Sequence, residues 1–219
     1  MLYWNTVTGL LKESLIKLMQ AEQLKNFRLV GGTALSLYLG HRMSVDIDLF
    51  TDAPYGSVDF NAIETFLKNA FPYTSGNFGD NVGMRKSYLA GTDADHVIKL
   101  DIYYSMDSFF QQEIKEDGIR MASAEEIIAM KVDIVQRGGR KKDFWDLHEF
   151  LKRYNINQMI NLHRQRFEWT HNEQLIIDNF TNFINADDDF DPICLKGKEW
   201  AFIKDDIEEA VANRAGLNK

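Results

Sequence analysis

One cysteine, three prolines and five scattered histidines are all that this 219-residue chain holds of the residues that most often staple or punctuate a fold. The lone thiol, Cys194, excludes an intramolecular disulfide and fits a reducing compartment, so the cytoplasm is the expected location. His41, His96, His148, His163 and His171 show no metal-ligand spacing, which argues against a zinc centre. With so little proline, no flexible linker is evident, and the chain is expected to pack as one rigid unit. No apolar run approaches the ~20 residues of a membrane-spanning helix. The opening stretch, MLYWNTVTGLLKESL, lacks the basic start of a secretory signal, so no membrane attachment is expected. Basic residues are in deficit, 25 Lys and Arg against 33 Asp and Glu, for a formal net charge of −8. That balance opposes broad, salt-driven binding to nucleic acid and leaves room only for a local basic surface. The one dense basic cluster in the sequence is Arg137, Arg140, Lys141 and Lys142.

What is present is a core. Hydrophobic residues make up 45% of the chain and aromatics 12%, which excludes a disordered tail. Leu10, Leu11, Leu15, Leu18 and Met19 recur at helical spacing and predict a helix from Thr6 to Glu22. A short strand is expected over Phe27–Val30, a helix over Thr33–Leu39 stopped by Gly40, and a strand over Ser44–Phe50. Asp59–Ala70 reads as an amphipathic helix, and Gly76–Asp80 as a loop. Val82–Ala90 and Asp95–Tyr104 are two strands around a turn at Gly91-Thr92-Asp93. Ser123-x-x-Glu126 has the pattern of a capping box opening a helix to Gln136. Gly138-Gly139 breaks it before a second helix over Lys141–Arg153. The rest is mostly helical by pattern, interrupted at Asp187-Asp188-Asp189 and Asp191-Pro192. The expected architecture is α/β (α+β), with a mixed-sheet core over 1–121, including the N-terminal helix, and a helical region over 122–219 packed on it.

The segment VGGTALSLYLGHRMSVDIDLF, from Val30 to Phe50, carries the chemistry. Side chains alternate along a strand, so Asp46 and Asp48 share one face, about 7 Å apart, while Val45, Ile47 and Leu49 take the other. Two such carboxylates repel unless a cation lies between them, and hard divalent ions take oxygen ligands of this kind. The glycine pair lets backbone N–H groups approach a phosphate. On the later strand Asp101 shares a face with Lys99 and Tyr103, opposite Ile98, Leu100, Ile102 and Tyr104. A metal-bound nucleoside triphosphate is the ligand that this combination suits.

Gly31, Gly32, Thr33, Ala34 and Leu35, then Arg42, Ser44, Asp46, Asp48, Leu49 and Phe50, resemble the motif of the AbiEii/AbiGii-type nucleotidyltransferases, a toxin branch of the DNA polymerase β-like superfamily. Two later stretches resemble further motifs of that family: Ser123 to Lys131, a helix with one lysine, and Arg137 to Leu147, containing Lys142, Asp143 and Asp146. The resemblance implies a polymerase β-like core and Mg²⁺- or Mn²⁺-dependent transfer of NMP from an NTP to an acceptor. It implies Asp46, Asp48 and Asp101 as metal ligands and catalytic acids, with Lys131, Asp143 and Asp146 completing the catalytic set. Gly31, Gly32, Thr33, Arg42, Ser44, Lys131 and Lys142 would hold the nucleotide. If Lys131 meets the triphosphate from a solvated helix face, its removal should leave melting near wild type. The family also implies a toxin role, RNA (tRNA 3′ ends in some members) as acceptor, and a separate antitoxin as partner. The rival readings are a small-molecule nucleotidyltransferase of the aminoglycoside-modifying kind and a non-catalytic nucleotide-binding protein.

Overall fold

The computed structural model describes residues 1–79 and 83–214, and the chain clusters into two units. The first comprises Met1–Gly40, Ser44–Ser108 and Gln112–Ala122; the second comprises His41–Met43, Phe109–Gln111 and Ser123–Lys219.

The first unit opens with α1 (Gly9–Gln20), capped by Thr8, whose hydroxyl accepts the Leu11 N–H at 3.2 Å. That cap sets the helix start later than Thr6, and Trp4–Thr6 forms a 3-10 turn instead. β1 (Arg28–Val30) runs directly into α2 (Gly31–Leu39), so the glycines are the helix's first turn rather than a loop before Thr33. Gly40, with φ of +65°, ends α2 in the left-handed conformation that favours glycine. Then come β2 (Asp46–Thr51), α3 (Phe60–Ala70), β3 (Tyr73–Gly76), β4 (Arg85–Gly91), β5 (Val97–Tyr104), β6 (Ile114–Glu116) and β7 (Ile119–Met121). Val82, where the first hairpin strand was expected to start, and Asp80 of the expected loop lie outside the described residues.

Among the described residues the strands form one seven-stranded sheet in the order β3-β4-β5-β2-β1-β7-β6. It is mixed: β2 pairs with β5, and β1 with β7, in parallel, while the remaining neighbours are antiparallel. Leu29, Ile47, Leu49, Ile98, Leu100 and Ile102 are buried, and their register puts them on one face, where the apolar alternation of β2 and β5 requires a core. Sequence reasoning passed over β3, β6 and β7. The β6–β7 hairpin turns at Asp117 and Gly118, with φ of +51° and +80°, and Asp-Gly is a strong two-residue turn signal.

The second unit is helical: α4 (Ala124–Gln136), α5 (Lys141–His148), α6 (Ile156–Arg166), α7 (Glu173–Phe180), α8 (Ile184–Asp187) and α9 (Trp200–Asn213). Ser123 caps α4 through the Glu126 N–H, but the reciprocal half of the expected capping box does not form. The Glu126 carboxylate instead accepts from the Gln111 N–H at 2.7 Å and the Arg166 guanidinium at 2.5 Å. α5 ends at His148, short of Arg153, because the chain tightens into three-residue turns, with Phe150 N–H on the Leu147 carbonyl and Leu151 N–H on that of His148.

Candidate active site

In β2 the side chains alternate: Ile47 and Leu49 are fully buried, and Asp46, Asp48 and Phe50 stand half-buried on the opposite face, whereas Val45, expected on the core side, precedes the strand and is exposed. The parallel neighbour β5 sets Lys99 beside Asp46 and Asp101 beside Asp48. Paired strands lie about 4.8 Å apart, so three carboxylates share one small patch of sheet. Asp101 is only 5% exposed, and both its oxygens are engaged: Ser87 Oγ donates to Oδ1 and Lys99 Nζ to Oδ2, each at 2.5 Å. The hydrogen bond to Asp101 holds the Lys99 pKa above its ordinary value, and the fields of Asp101, Asp46 and Asp48 add to it. One ammonium thus answers to three acids.

The glycine turn closes on the same patch. Gly31 has φ of +69°, and a Cβ there would lie 2.9 Å from Asp48 Oδ2, so both conformation and space favour glycine. Gly32 follows in the first turn of α2, which has no side-chain cap. Thr33 is buried: its hydroxyl donates to the Asp46 carbonyl and lies 2.8 Å from Ser44 Oγ. These two hydroxyls tie the start of the helix to the start of the acid strand.

Within the second unit a different ionic cluster forms. Lys131, on α4, reaches Asp143 Oδ1 at 2.6 Å and Asp146 Oδ2 at 2.8 Å, with both acids on α5 and fully buried. Arg42 grips Asp146 in a two-pronged contact, Nε to Oδ1 at 2.7 Å and Nη2 to Oδ2 at 2.8 Å. His41 Nε2 lies 2.7 Å from Asp146 Oδ1. Asp143 Oδ2 also accepts the Arg140 N–H at 3.1 Å. The segment carrying His41 and Arg42 is held by the tail, through Met43 N–H on the Ile193 carbonyl and Leu195 N–H on that of His41. Burial pushes the Asp146 pKa up, yet Lys131, Arg42 and His41 overcome it and hold that carboxyl well below its usual range. Asp143 is lowered in the same way, chiefly by Lys131, and Lys131 is raised by the two acids despite its own desolvation.

Residues 14–215 match the family described as "Nucleotidyl transferase AbiEii toxin, Type IV TA system". The chain belongs to this family. Two solved structures share its fold: MenT4, a nucleotidyltransferase toxin of Mycobacterium tuberculosis, with a TM-score of 0.61, 13% identity, and coverage of 92% of this chain and 82% of that one; and JHP933 of Helicobacter pylori, with a TM-score of 0.59, 17% identity, and coverage of 92% and 87%. An uncharacterized Aquifex aeolicus protein is 28% identical over 148 residues, 65% of this chain and 66% of its own length. This chain thus spans just under two thirds of that relative. The fold is accordingly the polymerase β-like nucleotidyltransferase fold, and the family's enzyme class is nucleotidyltransferase.

Set on this AbiEii-family chain, the expected site residues fall into two groups. Asp46, Asp48, Asp101, Gly31, Gly32, Thr33 and Ser44 gather in the first unit; Arg42, Lys131, Asp143 and Asp146 gather in the second, with Lys142 half-buried beside them in α5. Lys131 does not stand on a solvated face: it is 4% exposed and bound by two carboxylates, so its removal cannot leave stability unchanged. The basic cluster is largely matched by acids, with Lys141 buried against Asp191 at 2.8 Å and Arg137 on Asp133 at 2.5 Å. His41 was passed over because it lacks metal-ligand spacing; its place directly before Arg42 was the available signal. Ser87, registered opposite Asp101, could be found only once β4 and β5 were paired. Among the described residues no group of three His, Cys, Asp or Glu side chains is gathered so as to hold a metal. The donor set of Asp46, Asp48 and Asp101 nonetheless fits a hard cation, being all carboxylate oxygen, with the Lys99 ammonium standing where positive charge is needed.

Proposed function

We propose that this chain transfers a nucleoside monophosphate from an NTP to an acceptor hydroxyl, using Mg²⁺ or Mn²⁺ held by Asp46, Asp48 and Asp101. The observation that carries this reading is the register of β2 and β5, which sets Asp48 against Asp101 with Asp46 on the same face, beside the glycine turn. In the reaction the acceptor oxygen bonds to the α-phosphorus. The bond from that phosphorus to the bridging oxygen breaks, pyrophosphate leaves with the electron pair, and the acceptor's proton is released to water. Bound among the acids, the cation would offset phosphate charge and acidify the acceptor hydroxyl.

The chain's own residues do the rest. Gly31 and Gly32 leave the uncapped start of α2 open to phosphate oxygens, where N–H groups and the helix dipole favour an anion. Thr33 and Ser44 fix the acid strand against that helix. Within the second unit Asp143 and Asp146 hold Lys131 in one place and Arg42 locks Asp146, so this cluster fixes the geometry of α4 and α5. The family description, a toxin of a toxin–antitoxin system, supports a toxin role with a separate antitoxin as partner; RNA as acceptor and action in the cytoplasm are part of this proposal. No helix among the described residues is long and apolar enough to cross a membrane.

The test incubates purified protein with each labelled NTP, Mg²⁺ and total RNA, or with aminoglycosides in place of RNA. Label transferred to RNA supports the reading, and label on the aminoglycoside alone supports the small-molecule alternative. No transfer at all, with no rise in melting temperature on adding Mg²⁺ or Mn²⁺, would sink both.

A further inference from the structure

The register that aligns the acids aligns a second row beyond them. Two residues further along the same face, about 7 Å away, Arg28 of β1 stands opposite Phe50 of β2, Phe50 opposite Tyr103 of β5, and Tyr103 opposite Arg85 of β4. The row reads cation, ring, ring, cation across four adjacent strands. The two rings are in contact, with centroids 4.7 Å apart and planes inclined by 31°. Arg85 donates from Nη1 to the Tyr103 hydroxyl at 2.7 Å, and its guanidinium lies 5.7 Å from that ring's centre. Phe50, Tyr103 and Arg28 are half-buried and Arg85 is exposed, so the row is not core.

We propose that Phe50, Tyr103 and Arg85, with Arg28 at the far end, form a shelf that stacks a nucleobase and neutralises its phosphate, and that the nucleotide seated there is the acceptor's terminal one. A ring shelf flanked by guanidinium groups suits an aromatic anion and opposes a polycationic acceptor. The row brings two guanidinium groups to one sheet face, from residues 28, 50, 85 and 103 that no sequence window brings together. The side is set by β1. Because β1 runs antiparallel to β2, Val30 stands opposite Asp48 and α2 starts immediately after it, whereas Arg28 stands opposite Phe50. The triphosphate seat at the start of α2 and the shelf therefore flank the acid row from opposite sides. An acceptor on the shelf presents its hydroxyl toward Asp101, two residues from Tyr103.

This assignment rests on the acid row being the site of transfer, and the experiment separates the two. The full chain is titrated with a fluorescent single-stranded RNA oligonucleotide and, separately, with a non-hydrolysable NTP analogue, and each variant's melting is recorded. Tyr103→Leu should weaken oligonucleotide binding by roughly 5- to 100-fold, the worth of one stacked base. Arg85→Gln should weaken it a few-fold and reduce the salt slope by about 0.7, the share of one phosphate contact. Affinity for the analogue should stay within about twofold of wild type, since stacking on the acceptor side leaves the triphosphate seat intact. If Tyr103→Leu fails to fold, Phe50→Leu, which keeps an apolar side chain, makes the same test. Unchanged oligonucleotide affinity in the folded variants overturns the shelf. A loss confined to the analogue overturns the acceptor assignment and gives the shelf to the NTP's base. Asp48→Asn should still bind the oligonucleotide while its transfer falls by about 10²-fold or more; transfer at the wild-type rate would mean that the transfer site is misplaced whatever the shelf binds.

Discussion

Two groups of aspartates, one in each unit, sit in different electrostatic surroundings. Asp46, Asp48 and Asp101 all act on the ammonium of Lys99, whose side chain is itself half exposed. Asp143 and Asp146, fully buried, meet two permanent cations, Lys131 and Arg42, at hydrogen-bond distance. The first group sets three carboxylates on one patch of sheet, a donor set that a divalent cation would suit; the second already pairs each acid with a buried cation. Burial alone does not separate them, since Asp101 is nearly as buried as Asp143. What separates them is where the cations come from: Lys99, on the same sheet face, is half exposed, whereas Lys131 and Arg42 are buried with their acids. Buried pairs of the second kind fix geometry.

Neutralising one acid in each cluster breaks the comparison most directly. Asp48→Asn should lower transfer by about 10²- to 10³-fold or more. It should leave melting unchanged or slightly raised in metal-free buffer, and it should abolish any stabilisation by Mg²⁺. Wild-type turnover at saturating NTP would remove the acid face from the mechanism. In the second cluster the balance of effects reverses. Asp146→Asn or Lys131→Met leaves a buried charge without its partner, which costs about 3–5 kcal/mol. Thermal or urea unfolding reads this, and a shift below about 1 kcal/mol would mean that the cluster is looser than its distances imply.

The contrast also explains what the sequence disclosed. The alternation of Asp46, Ile47, Asp48 and Leu49 fixed which way the acids face, because the apolar residues have only one side to bury. Asp101 was legible for the same reason, through Leu100 and Ile102. Period-two patterning carries no information about which strand pairs with which, so Ser87 opposite Asp101 and the row through Arg28, Phe50, Tyr103 and Arg85 could not be read. Lys131 stood out only through its motif, and its burial could not be read, since an ammonium is solvated unless acids from elsewhere reach it, and those acids lie a helix away. Glu126 shows the limit of local rules: its position fits a capping box, but the Arg166 guanidinium and the Gln111 N–H outcompete the helix start.

A smaller effect sharpens the link between the glycine turn and the acids. Gly31→Ala forces a side chain into a left-handed backbone and against Asp48 Oδ2, at a cost of about 1–3 kcal/mol. If the turn only ended a strand, stability would fall and the kinetics of the folded fraction would not. Because the methyl group displaces a carboxylate of the acid row, turnover measured well below the melting temperature should fall too. The control is Gly9→Ala, where a Cβ meets nothing within 4 Å and neither quantity should suffer.

The smallest expected effect lies at a third group, and it asks whether the buried cluster is the chain's only pH-dependent element. His148, at the end of α5, is 11% exposed; its Nε2–H donates to Asp206 Oδ2, and Lys198 Nζ donates to its Nδ1, each contact at 2.7 or 2.8 Å. Burial holds its pKa below 6.5, the Lys198 charge adds to the depression, and Asp206 and Glu149 oppose it. The unfolded chain therefore binds this proton more readily than the folded chain. Stability from the neutral ring is present above about pH 6.5 and is lost as pH falls from there through the depressed folded value. Asp143 and Asp146, with lowered values, lose their contribution only below the ordinary carboxylate range, about pH 3.9. Melting temperature should thus decline in two separate acid steps. His148→Gln, which keeps a donor for Asp206 but no titrating ring, should flatten the step just below neutrality and leave the lower one in place. A first step that survives the substitution would move the neutral-range titration to another group, with His171, also depressed by burial, next in line.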